Sequence, residues 1–165
     1  MDKAHESQRG YFAFELYKQM KANPDIFLLV GDLGYKVFDA HFKDFPDRCI
    51  NCGASEQGML GIAVGLAMKG KIPFCYSITS FLLWRPAETI KLYLNEEMWP
   101  VKLVGSGRDQ DYAHDGPSHD ATEAKKLLDT WPNIETFWPG SKEQAGEAVS
   151  QMIKSGTPNF ISLRR

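Results

Sequence analysis

The chain has 165 residues, of which 43% are apolar and 24% charged, and its formal net charge is −2. This balance gives no reason to expect a nucleic acid or an anionic membrane as a partner, and no apolar run approaches the ~20 residues of a membrane span. The opening residues MDKAHESQRG lack the apolar segment of a secretory signal, so we expect a cytoplasmic protein with one domain over residues 1–165.

Apolar and polar residues alternate in patterns of helices and strands. Apolar positions at helical spacing predict a helix over 8–22, and the run IFLLVGD predicts a strand that is buried on both faces. The later elements, in chain order, are a helix over 37–45, the strand CINCG, a helix over 55–68 with Ser55 as its N-cap, the strand IPFCYSI, a helix over 87–98, the strand VKLVGS, a polar stretch over 105–120, a helix over 122–130, the strand IETFWP, a helix over 142–154 and the strand FISLR.

This order requires parallel strands joined by helices. We therefore predict a three-layer α/β/α domain with a mostly parallel sheet of about six strands. Ligands of such sheets bind at the carboxyl ends of the strands. The segments expected there are GDLGYK, GASEQG, TSFLLWRP and GSGRDQDYAHDGPSHD.

Cys49, Cys52 and Cys75 are the cysteines of the chain. An odd number argues against a disulfide framework. Cys49 and Cys52 form a C-x-x-C motif, but no second pair supplies the remaining ligands of a zinc site. We expect all three to be small apolar fillers.

The helix over 55–68 is rich in glycine. Gly58, Gly61 and Gly65 fall on one side of it, and each costs about 1 kcal/mol relative to alanine. Such a loss is offset where another helix or a ligand approaches closely. Glu56 lies in the first turn, where the helix dipole favours a carboxylate, so stabilisation of the helix start explains it from the pattern alone.

The segment YAHDGPSHD concentrates charged and imidazole side chains that are costly to bury. His114, Asp115, His119 and Asp120 are all of metal-ligand type. Transition-metal sites rarely use such a dense local cluster without distant ligands, so a metal site is the weaker alternative to a substrate site.

The stretch FPDRCINCGASEQGMLGIAVGLAMKGKIPFCYSITSFL resembles the pyrimidine-binding domain of transketolases and of the related deoxyxylulose-phosphate synthases, where a strand leads into a Phe-bearing loop. The match continues through PVKLVGS, DGPSH, PNIETFWPGS and PNFISLRR. The resemblance implies thiamine diphosphate as cofactor. It implies that Glu56 is the catalytic carboxyl that hydrogen-bonds the pyrimidine and that Phe81 stacks on it. Asp32 and Trp84 are expected to complete the cofactor site.

The same resemblance assigns a substrate site. DGPSH is similar to the D-G-P-T-H signature of these families, so Asp115 is expected to bind a substrate hydroxyl and His119 to contact the ketose and aid proton transfer. Asp120 stands where transketolases usually have Gln, so the acceptor end is expected to differ. Arg9 and Arg165 correspond to phosphate-binding arginines.

Two further positions depart from the transketolase pattern. Lys36 stands where a phosphate-contacting Ser is common, and Gly107-Arg108 stands where a His is found. Phosphate recognition is therefore expected to be rebuilt.

The G-D-G motif that binds Mg²⁺ and the diphosphate is absent; the chain has GDLG instead. The resemblance thus implies the pyrimidine-binding subunit of a split transketolase. Its partner would be a diphosphate-binding subunit that holds most of the Mg²⁺ contacts, in a heterotetramer. Together they would transfer a two-carbon ketol unit from a ketose or ketose phosphate to an aldose.

The alternatives are a deoxyxylulose-phosphate synthase or another thiamine diphosphate carboligase subunit, and a non-catalytic scaffolding partner. The β subunit of 2-oxoacid dehydrogenases fits less well, because those enzymes do not place the DGPSH-like signature in this loop. Retention of Glu56, Phe81, Asp115 and His119 together argues against the scaffold.

Overall fold

The computed structural model describes residues 4–165, so the first three residues of the predicted domain lie outside it. Six strands form one sheet in the order β2-β1-β3-β4-β6-β5, and every neighbouring pair is parallel. The strands are β1 (Ile26–Val30), β2 (Cys49–Asn51), β3 (Ile72–Ile78), β4 (Lys102–Ser106), β5 (Glu135–Phe137) and β6 (Asn159–Leu163). The prediction of a mostly parallel sheet of about six strands is confirmed.

Helices connect the strands. They are α1 (Gln8–Ala22), α2 (Asp39–Asp44), α3 (Glu56–Met68), α4 (Thr79–Trp84), α5 (Ala87–Thr89), α6 (Ala124–Leu128) and α7 (Lys142–Ser155). Serine hydroxyls cap the two longest helices: Ser7 accepts a hydrogen bond from the Gly10 N–H, and Ser141 accepts one from the Gln144 N–H. No helix in residues 4–165 is long and apolar enough to cross a membrane.

The sheet lies between two hydrophobic cores. Successive residues of β1 point to opposite faces, so Leu28 belongs to the first core and Leu29 to the second. The first core is closed by α1 and α7 through Phe12, Leu16, Met20, Val149 and Met152. The second is closed by α3, α4, α5 and α6, with the helical segment that follows α5, through Met59, Leu60, Leu83, Leu94 and Leu128. The predicted three-layer architecture is therefore confirmed.

The segment TSFLLWRP differs from the prediction, which placed a Phe-bearing loop there. Residues Thr79–Trp84 form helix α4 directly after β3. Leu82 and Leu83 are both fully buried in the second core. Burial of two adjacent leucines against the sheet holds this segment in a helix, and the helix fixes the direction in which Phe81 points.

Other element boundaries also shift. The helix predicted over 87–98 is α5 followed by a π-helix over Ile90–Glu96, and Met98 then adopts φ +59°. The helix predicted over 122–130 is only α6, because the Asp120 carboxylate accepts a hydrogen bond from the Thr122 N–H and holds that residue outside the helix. The predicted N-cap Ser55 precedes α3, but its hydroxyl makes no capping hydrogen bond.

Cys49 and Cys75 are buried with free thiols, and Cys52 is half-buried. Burial raises the pKa of the Cys49 thiol to about 12. Cys49 packs in the first core, Cys75 packs in the second, and Cys52 packs against the second, so these residues fill apolar space as predicted from the sequence.

Candidate active site

A buried carboxylate lies at the carboxyl edge of the central strands. Glu56 is the first residue of α3, and its residue exposure is 1%. Ser77, near the end of β3, donates from Oγ to Glu56 Oε1 at 2.7 Å. Gly31 follows β1, and a Cβ at this position would lie 2.9 Å from Ser77 Oγ and 3.1 Å from Glu56 Oε1. The glycine therefore leaves the room that this carboxyl group needs.

Arg85 joins this carboxylate to an aromatic ring. Its Nη1 donates to Glu56 Oε2 at 2.5 Å. Its Cζ lies 3.9 Å from the centroid of the Phe81 ring. Arg85 was not among the predicted site residues, although Phe81 and Arg85 are four residues apart and meet on one side of a helix. This helical spacing was not recognised because the segment was expected to be a loop.

The loop that carries the DGPSH motif is fixed onto α4. Ser80 donates from Oγ to the Ser118 carbonyl at 2.7 Å. The His119 ring meets the Phe81 ring edge to face, with 4.7 Å between centroids. Two predicted site residues, Phe81 and His119, are therefore in direct contact.

Tyr112 contacts both predicted arginines and lies near His119. Arg9 donates from Nη1 to Tyr112 Oη at 3.3 Å, and the Arg165 guanidinium lies 5.1 Å from the Tyr112 ring centroid. The centroids of the Tyr112 and His119 rings are 6.2 Å apart. Within residues 4–165 neither guanidinium forms an ion pair with a carboxylate. Arg165 Nη1 also lies 3.0 Å from His114 Nε2, so this cluster combines two guanidinium groups that have no carboxylate partner among the described residues, a set of donors suited to an anion.

Tyr112 itself was also missed as a member of the site. Gly107 has φ +84°, and a Cβ there would lie 2.3 Å from Tyr112 Cε2. The glycine is what admits the Tyr112 ring. Arg108 points away from this cluster and donates to the Ser162 carbonyl at 2.5 Å, so the Gly107-Arg108 pair supports the loop.

The remaining predicted residues make other contacts. Asp32 has φ +57° and accepts hydrogen bonds from Asn51 and Tyr35, which raises the pKa of the Tyr35 phenol. Asp115 pairs with His114, whose Nε2 lies 3.2 Å from Asp115 Oδ2.

Trp84 and Asp120 line a polar cleft of about 400 Å³ beside Ser80 and Ser118. Trp84 is 53% exposed. Hydrogen bonding to Thr122 lowers the pKa of the Asp120 carboxyl. This cleft lies on the side of α4 that carries Ser80, next to the side that carries Phe81.

A metal centre was the alternative for the histidine- and aspartate-rich loop. Among the described residues no group of three or more His, Cys, Asp or Glu side chains is arranged to hold a metal ion. Of the candidate ligands, His114 and Asp115 contact each other, while Asp120 contacts Thr122.

The outer side of α3 is open. A Cβ added at Gly61 or Gly65 would meet nothing within 4 Å. Ile62 and Met68 on the same side are each 45% exposed, and Tyr93 is 36% exposed. At Gly61 and Gly65 the predicted close approach is thus not supplied from within the described part of the chain, whereas a Cβ at Gly58 would lie 2.9 Å from Ser55 Oγ.

A model of one protein family matches nearly the whole chain: the transketolase pyrimidine-binding domain, over residues 7–165. An uncharacterised 33.6 kDa protein of the fasciation locus of Rhodococcoides fascians is 31% identical over 159 residues. That match covers 96% of this chain and 51% of the relative. A 6-deoxy-6-sulfo-D-fructose transketolase subunit of Clostridium sp. (strain MSTE9) is 31% identical over 123 residues, which cover 74% of this chain and 38% of the relative.

A solved structure described as a split gene transketolase, inactive β4 tetramer, has the same fold. Its TM-score is 0.84 at 29% identity, with 96% of this chain and 51% of that chain covered. This chain therefore spans about half the length, or less, of these relatives.

Proposed function

This chain belongs to the transketolase pyrimidine-binding domain family, and from that premise we propose that it binds the pyrimidine half of thiamine diphosphate in a transketolase-like enzyme. The proposed reaction transfers a two-carbon ketol unit from a ketose, or its phosphate, to an aldose. The observation that carries the proposal is the buried Glu56 carboxylate and its position relative to Phe81. One planar group, the Arg85 guanidinium, donates to this carboxylate and also lies over the Phe81 ring.

The residues present fit an aminopyrimidine. Arg85 demonstrates that a planar group with N–H donors can reach Glu56 Oε2 while lying over the Phe81 ring. An aminopyrimidine has the same flatness and also carries nitrogen at its edge. When bound, thiamine diphosphate supplies the carbon nucleophile of the reaction.

Each residue of this chain has a proposed task toward the cofactor. Glu56 holds a proton at the pyrimidine N1′, and the Ser77 hydroxyl fixes the orientation of its carboxyl group. Phe81 stacks on the pyrimidine ring. Asp32 and Trp84 are proposed at the rim of the cofactor site.

The substrate side is proposed around His119. Its contact with Phe81 puts an imidazole, a group able to donate or accept a proton, beside the proposed cofactor site. Arg9 and Arg165 would hold an anionic group such as a sugar phosphate. Asp115 would bind a substrate hydroxyl, and Asp120 would act at the acceptor end.

A partner is part of the proposal. The open side of α3, with Gly61, Gly65, Ile62 and Met68, fits the close approach of a second chain. We propose that this partner binds the diphosphate and makes most of the contacts to Mg²⁺, and that the two chains form a heterotetramer. The relative from Clostridium is itself named as a transketolase subunit. We also propose that residues 1–165 form a single pyrimidine-binding domain and that the protein is cytoplasmic.

Complementation tests this function. The purified chain alone should give no transketolase turnover, and turnover that depends on Mg²⁺ should appear when a diphosphate-binding chain is added. In the mixture, Glu56→Gln should lower turnover at least a hundredfold, about 3 kcal/mol in barrier. Glu147→Gln, an exposed glutamate on α7, is the matched control and should leave turnover unchanged. Turnover by the chain alone would contradict the proposal.

A further inference from the structure

Arg85 makes both of the contacts that the proposed function assigns to the pyrimidine. Its Nη1 donates to Glu56 Oε2 at 2.5 Å, and its Cζ lies 3.9 Å from the Phe81 ring centroid. The other carboxylate oxygen, Oε1, already accepts the Ser77 hydroxyl. Oε2 is therefore the oxygen left for a ligand, and Arg85 occupies it.

The chemistry of the two groups is alike. A guanidinium is planar, carries N–H donors at its edge and stacks on aromatic rings. An aminopyrimidine is also planar, meets a carboxyl group through its edge and stacks through its face. Because both use the same oxygen and the same ring, they exclude each other.

We infer that Arg85 is a placeholder, which occupies the pyrimidine position in the free protein and moves toward solvent before the cofactor binds. The inference rests on the proposed function. The side chain of Arg85 is 43% exposed, whereas that of Glu56 is 1% exposed. Arg85 can therefore leave without opening the core.

The ion pair between Arg85 and Glu56 stabilises the free protein. A buried carboxylate without a cation beside it is strongly unfavourable, and Arg85 supplies that cation. Departure of Arg85 would thus free both Glu56 Oε2 and the face of the Phe81 ring for the pyrimidine.

Arg48 provides a comparison within the same chain. Its Cζ lies 4.7 Å from the Phe45 ring centroid, so it also stacks on a phenylalanine. It donates to the main-chain carbonyls of Asn23 and Ile26, and not to a carboxylate at a strand end. Arg48→Met therefore controls for the general loss of an arginine stacked on an aromatic ring.

The test is the affinity for thiamine diphosphate with Mg²⁺. The purified chain is combined with the diphosphate-binding chain of the complementation test, stripped of cofactor and titrated by calorimetry. Arg85→Met should bind at least tenfold more tightly than the wild type, because no side chain has to be displaced. Arg85→Lys, which keeps the charge without the flat donor, should fall between the two, and Arg48→Met should match the wild type.

Equal or weaker binding by Arg85→Met, with normal binding by the wild type, overturns the placeholder and leaves the proposed function standing. Absence of binding in the wild type and in every variant overturns the proposed function and the placeholder with it. Far-ultraviolet circular dichroism checks folding. Should Arg85→Met not fold, Arg85→Lys decides: a gain in affinity supports the placeholder, and no gain overturns it.

Discussion

His41 makes the stability of this fold depend on pH. It lies on α2 and is fully buried, with the rings of Tyr17 and Phe38 edge-on to it at centroid distances of 5.4 and 5.1 Å. Burial lowers the pKa of the His41 imidazole from 6.5 to about 4, and the main chain of Ala13 offsets only part of this. The folded chain therefore keeps His41 neutral where an unfolded chain would protonate it.

The sign follows from these two pKa values. Above pH 6.5 both states are neutral at His41, and the folded state loses nothing. As the pH falls from 6.5 toward about 4, only the unfolded state gains the proton, so the free energy of unfolding decreases. The full difference corresponds to about 3 kcal/mol at 1.36 kcal/mol per pH unit, of which about 2 kcal/mol is lost between pH 7 and pH 5.

Urea unfolding at pH 7 and pH 5 measures this loss. His41→Phe keeps an aromatic ring but cannot titrate, so its stability should change by about 2 kcal/mol less than that of the wild type between the two pH values. His5→Asn, an exposed histidine, is the matched control and should keep the wild-type dependence. The same pH dependence in His41→Phe and the wild type would show that His41 does not cause this loss of stability.

Three further predictions concern the proposed site. His119→Ala should raise KM for the ketose donor and lower kcat tenfold or more, with thiamine diphosphate affinity unchanged in calorimetry; loss of cofactor binding would contradict its substrate-side role. Asp120→Gln should reorder the preference among acceptor aldoses more than it changes the rate with the best acceptor, and an unchanged order in competition assays would remove Asp120 from the acceptor site. Gly61→Leu should leave the free energy of unfolding of the isolated chain unchanged or raise it by up to about 1 kcal/mol, yet prevent co-elution with the partner in size-exclusion chromatography. Normal co-elution would exclude this side of α3 from the interface.

Local patterns predicted much of the fold. The first helix was predicted over 8–22 and is observed over Gln8–Ala22, because its apolar spacing and the following Asn-Pro are local signals. The buried strands were recognisable as short apolar runs. The helix at Thr79–Trp84 was not predicted, because it depends on burial of Leu82 and Leu83 against a sheet that only the folded chain provides.

The site was predicted less completely than the fold. Glu56, Phe81 and His119 were identified through the family resemblance, and the structure brings Phe81 to His119 and, through Arg85, to Glu56. Arg85 and Tyr112 were missed. Tyr112 lies far along the chain from Arg9, so their hydrogen bond is set by the topology and not by any local pattern.

The proposed role of Glu56 is tested most directly by the rate of hydrogen exchange at C2 of bound thiamine diphosphate, followed by NMR after mixing with D₂O. If Glu56 holds the proton at the pyrimidine, Glu56→Gln should slow the exchange at least a hundredfold, about 3 kcal/mol, in a folded protein that still binds the cofactor. Glu147→Gln should exchange at the wild-type rate. Unchanged exchange in Glu56→Gln would contradict the proposed role of Glu56 at the pyrimidine.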